Sequence, residues 1–153
     1  MLQRKVGEVY YNFRSVLGQR AIWKNQQMFG DDQLPSVGCH AGLDQWHAPD
    51  GRVIWIFSHP SPQGKVSRKS ARQNLVIRMS DDEGGSWSNP VVVHELAAAY
   101  SDVAVTTDGT LCVVFESGDT IGQPYQRIQV ARIPMDRAVL LANLHPDPKK
   151  GAN

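Results

Sequence analysis

Several features that mark large classes of protein are scarce in this sequence of 153 residues. It has no apolar run near the ~18 residues that a membrane-spanning helix needs. Its start, Met1-Leu2-Gln3-Arg4-Lys5, leads straight into a strand-like segment rather than into the apolar stretch of a signal peptide. Localisation therefore stays open, and we expect a secreted or periplasmic protein only if a parent chain carries a signal.

Cysteine is also scarce. The sequence has two, Cys39 and Cys112, each in an apolar, strand-like context. Because free cysteine is among the most buried residue types, two buried thiols are favoured, with a disulfide or a reactive thiol as the alternatives. Cysteine usage therefore does not fix the redox compartment.

An excess of charge of either sign is missing as well. The formal net charge is +1, while hydrophobic residues make up 41% and charged residues 20%. These values are ordinary for a soluble globular domain, and they give no whole-chain field that attracts nucleic acid or an anionic membrane. The positive charge that meets an anionic ligand must therefore be local, which directs attention to individual arginines.

Helical periodicity is nearly absent, whereas short strand-like segments recur along the chain. The predicted strands are residues 6–14, 21–23, 53–57, 74–79, 91–93, 103–105, 111–115 and 128–133. Tight-turn signals stand at Asp50-Gly51 and Asp108-Gly109, and polar loops are predicted at 25–35 and 59–71. About nine short strands of this kind indicate an all-β sandwich, barrel or propeller, and periodicity alone does not choose among them.

One motif distinguishes the three folds. Ser80-Asp81-Asp82-Glu83-Gly84-Gly85-Ser86-Trp87 fits the pattern S-x-D-x-G-x-[ST]-W. Asp82 suits a turn because its carboxylate accepts hydrogen bonds from turn amides, Gly84 permits a positive φ, and Trp87 offers a large ring for burial. The motif resembles the Asp box of sialidases and related β-propellers; the alternative is an accidental acidic turn. Asp boxes are structural, so this motif concerns the fold.

Beyond the Asp box, the chain resembles the sialidase family over most of its length. The matching stretches are Asn12-Phe13-Arg14-Ser15, Phe57-Ser58-His59-Pro60, the strand from Arg72 to Ser80, Ala99-Tyr100-Ser101-Asp102-Val103-Ala104-Val105, Asp108-Gly109-Thr110 and Phe115-Glu116. The stretch around Tyr100 is the most specific of these. The resemblance implies a six-bladed β-propeller, of which residues 1–143 supply about three blades from the C-terminal part and residues 144–153 a flexible tail.

The resemblance also implies roles for single residues. Tyr100 corresponds to the tyrosine that attacks the anomeric carbon, and sialidases are the glycosidases that use a tyrosine nucleophile. A neutral phenol avoids the repulsion between an anionic nucleophile and the sialic acid carboxylate. Arg14 and Arg72 correspond to two arginines that bind this carboxylate, and Glu116 to a glutamate that orients a third. His59 and Arg78 are predicted to be structural.

The same resemblance implies that part of the site lies outside these residues. The family's acid/base aspartate and its first carboxylate-binding arginine lie far N-terminal, and Glu8 is too close to Arg14 to be the glutamate that activates the tyrosine. His40 stands where the family commonly has glutamine. The family therefore predicts an exo-α-sialidase that needs no metal or cofactor, present as a partial chain whose partners are a sialylated glycan and a missing N-terminal half. The alternative is a non-catalytic propeller that binds carbohydrate or another protein.

Overall fold

The computed structural model describes residues 3–6, 9–13, 20–23, 39–62 and 71–144. Its elements are β1 (Gln3–Val6), β2 (Val9–Phe13), β3 (Arg20–Trp23), β4 (Gly42–His47), β5 (Val53–Pro60), β6 (Gln73–Ser80), β7 (Val91–Val105), β8 (Thr110–Gly118), β9 (Arg127–Pro134) and α1 (Met135–Leu141). Strands β1 to β3 form one antiparallel sheet, and β4 to β9 form a six-stranded open sheet in which neighbours follow chain order.

The prediction of a strand-rich chain is confirmed, with five differences. The strands expected at 91–93 and 103–105 are one continuous strand, β7. The loop expected at 59–71 is wrong at its start, because His59 and Pro60 are buried in β5, and the loop expected at 25–35 lies outside the described residues.

The single strand expected from Val6 to Arg14 is wrong, because β1 ends at Val6 and pairs antiparallel with β2, which begins at Val9. Strand β4 was not predicted because two polar residues stand between Leu43 and Trp46, which breaks the alternation typical of a strand. Helix α1 was not predicted because its seven residues are too few to show a helical period.

Strand β7 is unusually long, with 15 residues, and it pairs in two stages. Its first half, from Val91 to Ala97, pairs with β6, and its second half, from Ala97 to Val105, pairs with β8. The register is irregular between Ala98 and Ser101. The strand therefore passes from its pairing with β6 to its pairing with β8 at Ala97, just before this irregularity.

Strand β4 lies beside the second half of β7, although the two strands are not neighbours in the sheet order. The amide of Val105 donates a hydrogen bond to the carboxylate of Asp44 at 3.0 Å, and the amide of Ser101 donates to the carbonyl of His40 at 3.2 Å. A Cβ added to Gly42 would lie 2.5 Å from the amide nitrogen of Val103. The approach of the two backbones therefore depends on a glycine at position 42.

The main core is shared by strands that pair before the irregularity of β7 and strands that pair after it. Alternate residues of β5, β6 and β8 supply it, as the period of two along a strand requires. Its fully buried members include Ile54, Ile56, Leu75, Ile77, Met79, Leu111 and Val113. Helix α1 closes one side through Met135 and Ala138, and the Met135 amide donates a hydrogen bond to the carbonyl of Gly109 at 2.9 Å.

Candidate active site

The segment 80–87 is a tight turn between β6 and β7. The Ser80 hydroxyl donates to Asp82 Oδ1 at 2.7 Å and accepts from the Gly84 amide at 2.8 Å. The amide and the hydroxyl of Ser86 donate to the same carboxylate at 2.8 and 2.7 Å. Asp82 therefore organises the turn from within, as the motif predicted.

Backbone conformation and burial explain other positions of this turn. Gly84 has a φ of 82°, which a side chain disfavours. The Trp87 side chain is 9% exposed and its ring lies 5.7 Å from that of Phe57, in a small cluster with Trp55. Partial burial acts to raise the pKa of Asp82, but the hydrogen bonds from Ser86 and Ser80 outweigh it and hold the pKa below its ordinary value.

Tyr100 lies within the irregular part of β7. Its side chain is 44% exposed, and its backbone amide donates to Glu116 Oε2 at 3.3 Å. Glu116 stands on β8 between the buried residues Phe115 and Ser117, so its own side chain points to the opposite face of the strand. The register irregularity therefore brings a tyrosine and a glutamate from adjacent strands together on one partly exposed face.

Buried hydroxyl groups support the backbone next to Tyr100. The Oγ atoms of Ser58 and Ser101 are 2.9 Å apart, and the Gly42 amide donates to Ser58 Oγ at 3.2 Å. Both serines are buried, so these bonds satisfy polar groups that water does not reach. They connect β4, β5 and β7 directly beneath the candidate nucleophile.

Arg72 approaches Tyr100 from the residue before β6. Its carbonyl accepts a hydrogen bond from the Ala98 amide at 3.0 Å, which holds its backbone beside β7. Its Cζ lies 5.3 Å from the centroid of the Tyr100 ring and 5.7 Å from that of Tyr125. A local kink at Asn74, where φ is 55°, accompanies the shift in register that separates Arg72 from the regular part of β6.

An open depression of about 200 Å³ adjoins Tyr100. Its lining includes His40, Tyr100, Asp102, Val114, Glu116 and Ile128. Cys39 is buried next to His40, and burial raises the pKa of its thiol; Arg72 opposes this rise and Glu116 adds to it. The thiol therefore lies within electrostatic reach of both charged groups.

The structure thus brings together Arg72, Tyr100 and Glu116, three residues far apart in the sequence. Arg14, the other predicted carboxylate-binding residue, lies outside the described residues. Strand β6 separates Arg72 from the turn at 80–87, and eight extended residues span about 26 Å. The predicted site and the predicted structural motif therefore lie at opposite ends of one strand.

The residues predicted to be structural occupy such positions. His59 is buried, with Nδ1 3.0 Å from the Pro60 carbonyl oxygen. Arg78 donates from Nη1 to the Ser88 carbonyl at 2.9 Å and so braces the turn after Trp87. Both cysteines are free thiols, Cys39 buried and Cys112 partly so.

Sequence reasoning missed Tyr125, which the structure places over Arg72. No local signal marks it, because it follows Pro124 in a turn-rich loop where an aromatic residue has no periodic context. Among the described residues, no group of three or more His, Cys, Asp or Glu side chains is placed to hold a metal ion. Within the same residues, no helix is long and apolar enough to cross a membrane.

Comparison with known proteins gives a partial similarity. The chain is 27% identical over 95 residues to the sialidases of two strains of Vibrio cholerae serotype O1. The match covers 62% of this chain and 11% of each sialidase, so it spans only a small part of those proteins. No family model matches the chain. The similarity supports a sialidase-like relationship.

Proposed function

We propose that the chain carries the tyrosine and part of the carboxylate-binding site of an exo-α-sialidase, a retaining glycoside hydrolase that releases terminal sialic acid from glycoconjugates. The observation that carries this proposal is the Arg72 guanidinium placed 5.3 Å from the ring of the half-exposed Tyr100. The similarity to the Vibrio sialidases agrees with it.

Arg72 is suited to a carboxylate ligand. Its planar guanidinium offers two parallel N–H donors, which match the two oxygens of a carboxylate in a way that an ammonium group does not. The Arg72 guanidinium lies over the Tyr100 ring, 5.3 Å from its centroid, so one small anionic ligand can touch both. The proposal assigns the second guanidinium to Arg14.

Tyr100 is suited to attack a carbon that carries a carboxylate. In the proposed reaction its phenol oxygen bonds to the anomeric carbon while the glycosidic bond breaks, and a general acid protonates the departing oxygen. Water then cleaves the sialyl–tyrosine bond with overall retention of configuration. A phenol must lose its proton to become a strong nucleophile, so the first step requires a base, and the proposal assigns acid and base to residues outside this chain.

Glu116 holds the Tyr100 backbone in place through the 3.3 Å hydrogen bond to its amide. Because this carboxylate points to the same face as Tyr100, it is also placed to orient a guanidinium group there. The proposal gives Glu116 this second task toward a third arginine supplied by the rest of the enzyme.

We propose a six-bladed propeller as the parent fold, as the sialidase resemblance implies, with about three blades in residues 1–143, and the path of the described strands agrees with two neighbouring blades. Strand β7 ends one group of strands, β4 to β6, and begins the next, β8 and β9. The strands that begin the two groups, β4 and the second half of β7, lie side by side. This is the arrangement expected of inner strands of neighbouring blades, with residues 80–87 as the Asp box of the first.

A binding and a turnover measurement on the full chain together test the proposal. We expect N-acetylneuraminic acid to shift the NMR signals of Tyr100, and Tyr100→Phe to keep binding because it retains the ring. We expect no release of fluorophore from a fluorogenic sialoside, because general acid and base assistance contribute about 10²–10⁴-fold each.

The outcomes separate the candidate functions. Turnover by the wild-type chain that disappears in Tyr100→Phe contradicts the assignment of acid and base to another part of the enzyme. Binding of neutral sugars as tight as that of N-acetylneuraminic acid favours the alternative, a carbohydrate-binding module. Signals of Tyr100 that do not respond to the sugar overturn the proposed site.

A further inference from the structure

Tyr125 is an exposed aromatic residue beside the candidate site. It is one of four tyrosines in the chain, and its side chain is 61% exposed although its ring is large. The Arg72 Cζ lies 5.7 Å from its ring centroid, within the ~6 Å range of a cation–π contact. Since Arg72 is also 5.3 Å from the Tyr100 ring, two tyrosine rings contact one guanidinium.

The loop that carries Tyr125 is held by its own hydrogen bonds. The Gln126 amide donates to the Ser117 carbonyl at 3.1 Å, and Gln126 Oε1 accepts from the Asp119 amide at 2.9 Å. A Cβ added to Gly118 would lie 1.9 Å from the Gln123 carbonyl oxygen, so the loop folds back directly onto β8. Tyr125 is therefore fixed against Arg72 by a compact loop, although its ring is exposed.

From this geometry we infer that Tyr125 is a positioning residue that holds the Arg72 guanidinium over Tyr100 in the orientation that binds a carboxylate. The role of the bound carboxylate rests on the proposed function, whereas the contact with Arg72 does not. An arginine side chain has several rotatable bonds, and an unrestrained one loses entropy when it binds a ligand. A second ring in contact with the guanidinium reduces this loss before the ligand arrives.

Tyr125→Phe and Tyr125→Leu form a matched pair, because the first keeps the aromatic ring and the second removes it at similar bulk. In the ¹⁵N-labelled full chain, the Arg72 Nε–Hε signal, assigned through Arg72→Lys, reports ring-current shielding by the two tyrosines. We expect this signal to keep its position in Tyr125→Phe and to move in Tyr125→Leu. Titration with N-acetylneuraminic acid should give unchanged affinity for the first and about two- to fivefold weaker affinity for the second.

Ile121→Ala is the control, because Ile121 lies in the same loop, is exposed and carries no aromatic ring. We expect it to leave both the Arg72 signal and the affinity unchanged. An Arg72 signal that stays in place in Tyr125→Leu, or that moves equally in Tyr125→Phe, overturns the inference. Equal affinities of wild type and Tyr125→Leu for the sugar also overturn it. If the wild-type chain does not bind the sugar, the proposed function fails, and the Arg72 signal still decides whether Tyr125 contacts Arg72.

Discussion

The two ends of strand β6 differ in how their polar groups are satisfied. At one end, the turn from Ser80 to Trp87 directs its hydrogen bonds inward, to Asp82 and Ser80, and buries its tryptophan. At the other end, Arg72 reaches Tyr100, which is 44% exposed, beside an open depression. The first end uses its polar chemistry to fix a conformation, and the second presents it to solvent.

The difference indicates which changes affect stability and which affect binding. The turn is built from residues adjacent in sequence, so its geometry is local and its tryptophan contributes to folding. The site takes residues from three separate segments, around 72, 100 and 116, so its geometry depends on the sheet. Changes at the turn should therefore reduce stability, and changes of the exposed side chains at the site should alter ligand binding with little loss of stability.

The largest effect should follow from Trp87→Ala at the turn. Removing the buried ring leaves a cavity against Phe57 and Trp55, so we expect a loss of about 3–5 kcal/mol in the free energy of unfolding, measured by chemical denaturation. Trp87→Phe retains a ring and should lose clearly less. A loss below about 1 kcal/mol in Trp87→Ala contradicts the structural role of the turn.

Gly42→Ala should disturb the site end through the backbone. Its Cβ would lie 2.5 Å from the Val103 nitrogen and 2.6 Å from the Asp102 Cα, so the two strands must separate. We expect the free energy of unfolding to fall by about 1–3 kcal/mol. The NMR signals of Tyr100 should shift, and those of the turn from Ser80 to Trp87 should stay unchanged.

Gly109→Ala provides the control for Gly42→Ala, because its added Cβ meets nothing within 4 Å and only its φ of 77° is strained. We expect a loss of about 1 kcal/mol there, without a change at Tyr100. If the NMR signals of the turn from Ser80 to Trp87 move as far as those of Tyr100 in Gly42→Ala, the two ends of β6 do not behave independently.

Arg72→Lys should change binding rather than folding. The variant keeps the positive charge and loses the guanidinium fork and its contacts with the two tyrosine rings, so we expect N-acetylneuraminic acid to bind about tenfold more weakly. Calorimetric titration gives the affinity, and Arg137→Lys on helix α1 is the matched control. Equal affinities for wild type and Arg72→Lys are incompatible with a carboxylate at Arg72.

The smallest effect concerns pH and Asp82. Because the pKa of Asp82 is lowered in the folded state, its contribution to stability is present above the unfolded pKa of about 3.9 and is lost as the pH falls through the folded value. Asp82→Asn should lower the free energy of unfolding by about 1 kcal/mol at pH 7. This difference in stability between variant and wild type should shrink below about pH 4.

Glu95→Gln, which removes an exposed carboxylate from β7, is the control for the loss of one negative charge in Asp82→Asn. Asp50 and Asp108 also have lowered pKa values, and both residues are present in wild type and in Asp82→Asn. Their effect on the free energy of unfolding therefore cancels in the difference between the two proteins. A wild-type–variant difference that stays constant from pH 7 to pH 3 excludes a stabilising role for the Asp82 charge.

Much of the fold was predictable where the signal is local. The alternation in 74–79 predicted β6, and the spacing of Ser80, Asp82, Gly84 and Trp87 predicted a turn. The break after Val6 was missed because two short paired strands and one longer strand have the same alternation. Helix α1 was missed because it is stabilised by burial of Met135 and Ala138 rather than by a long amphipathic pattern.

The sequence by itself determined the strand-rich class, the internal chemistry of the turn at 80–87 and the candidacy of Tyr100, because each depends on residues close together along the chain. Only the tertiary structure decided that β7 passes between two groups of strands, that Gly42 permits their approach, and that Tyr125 lies over Arg72. These depend on pairings between distant residues, whose register is set by the packing of whole strands and leaves no pattern in any single segment.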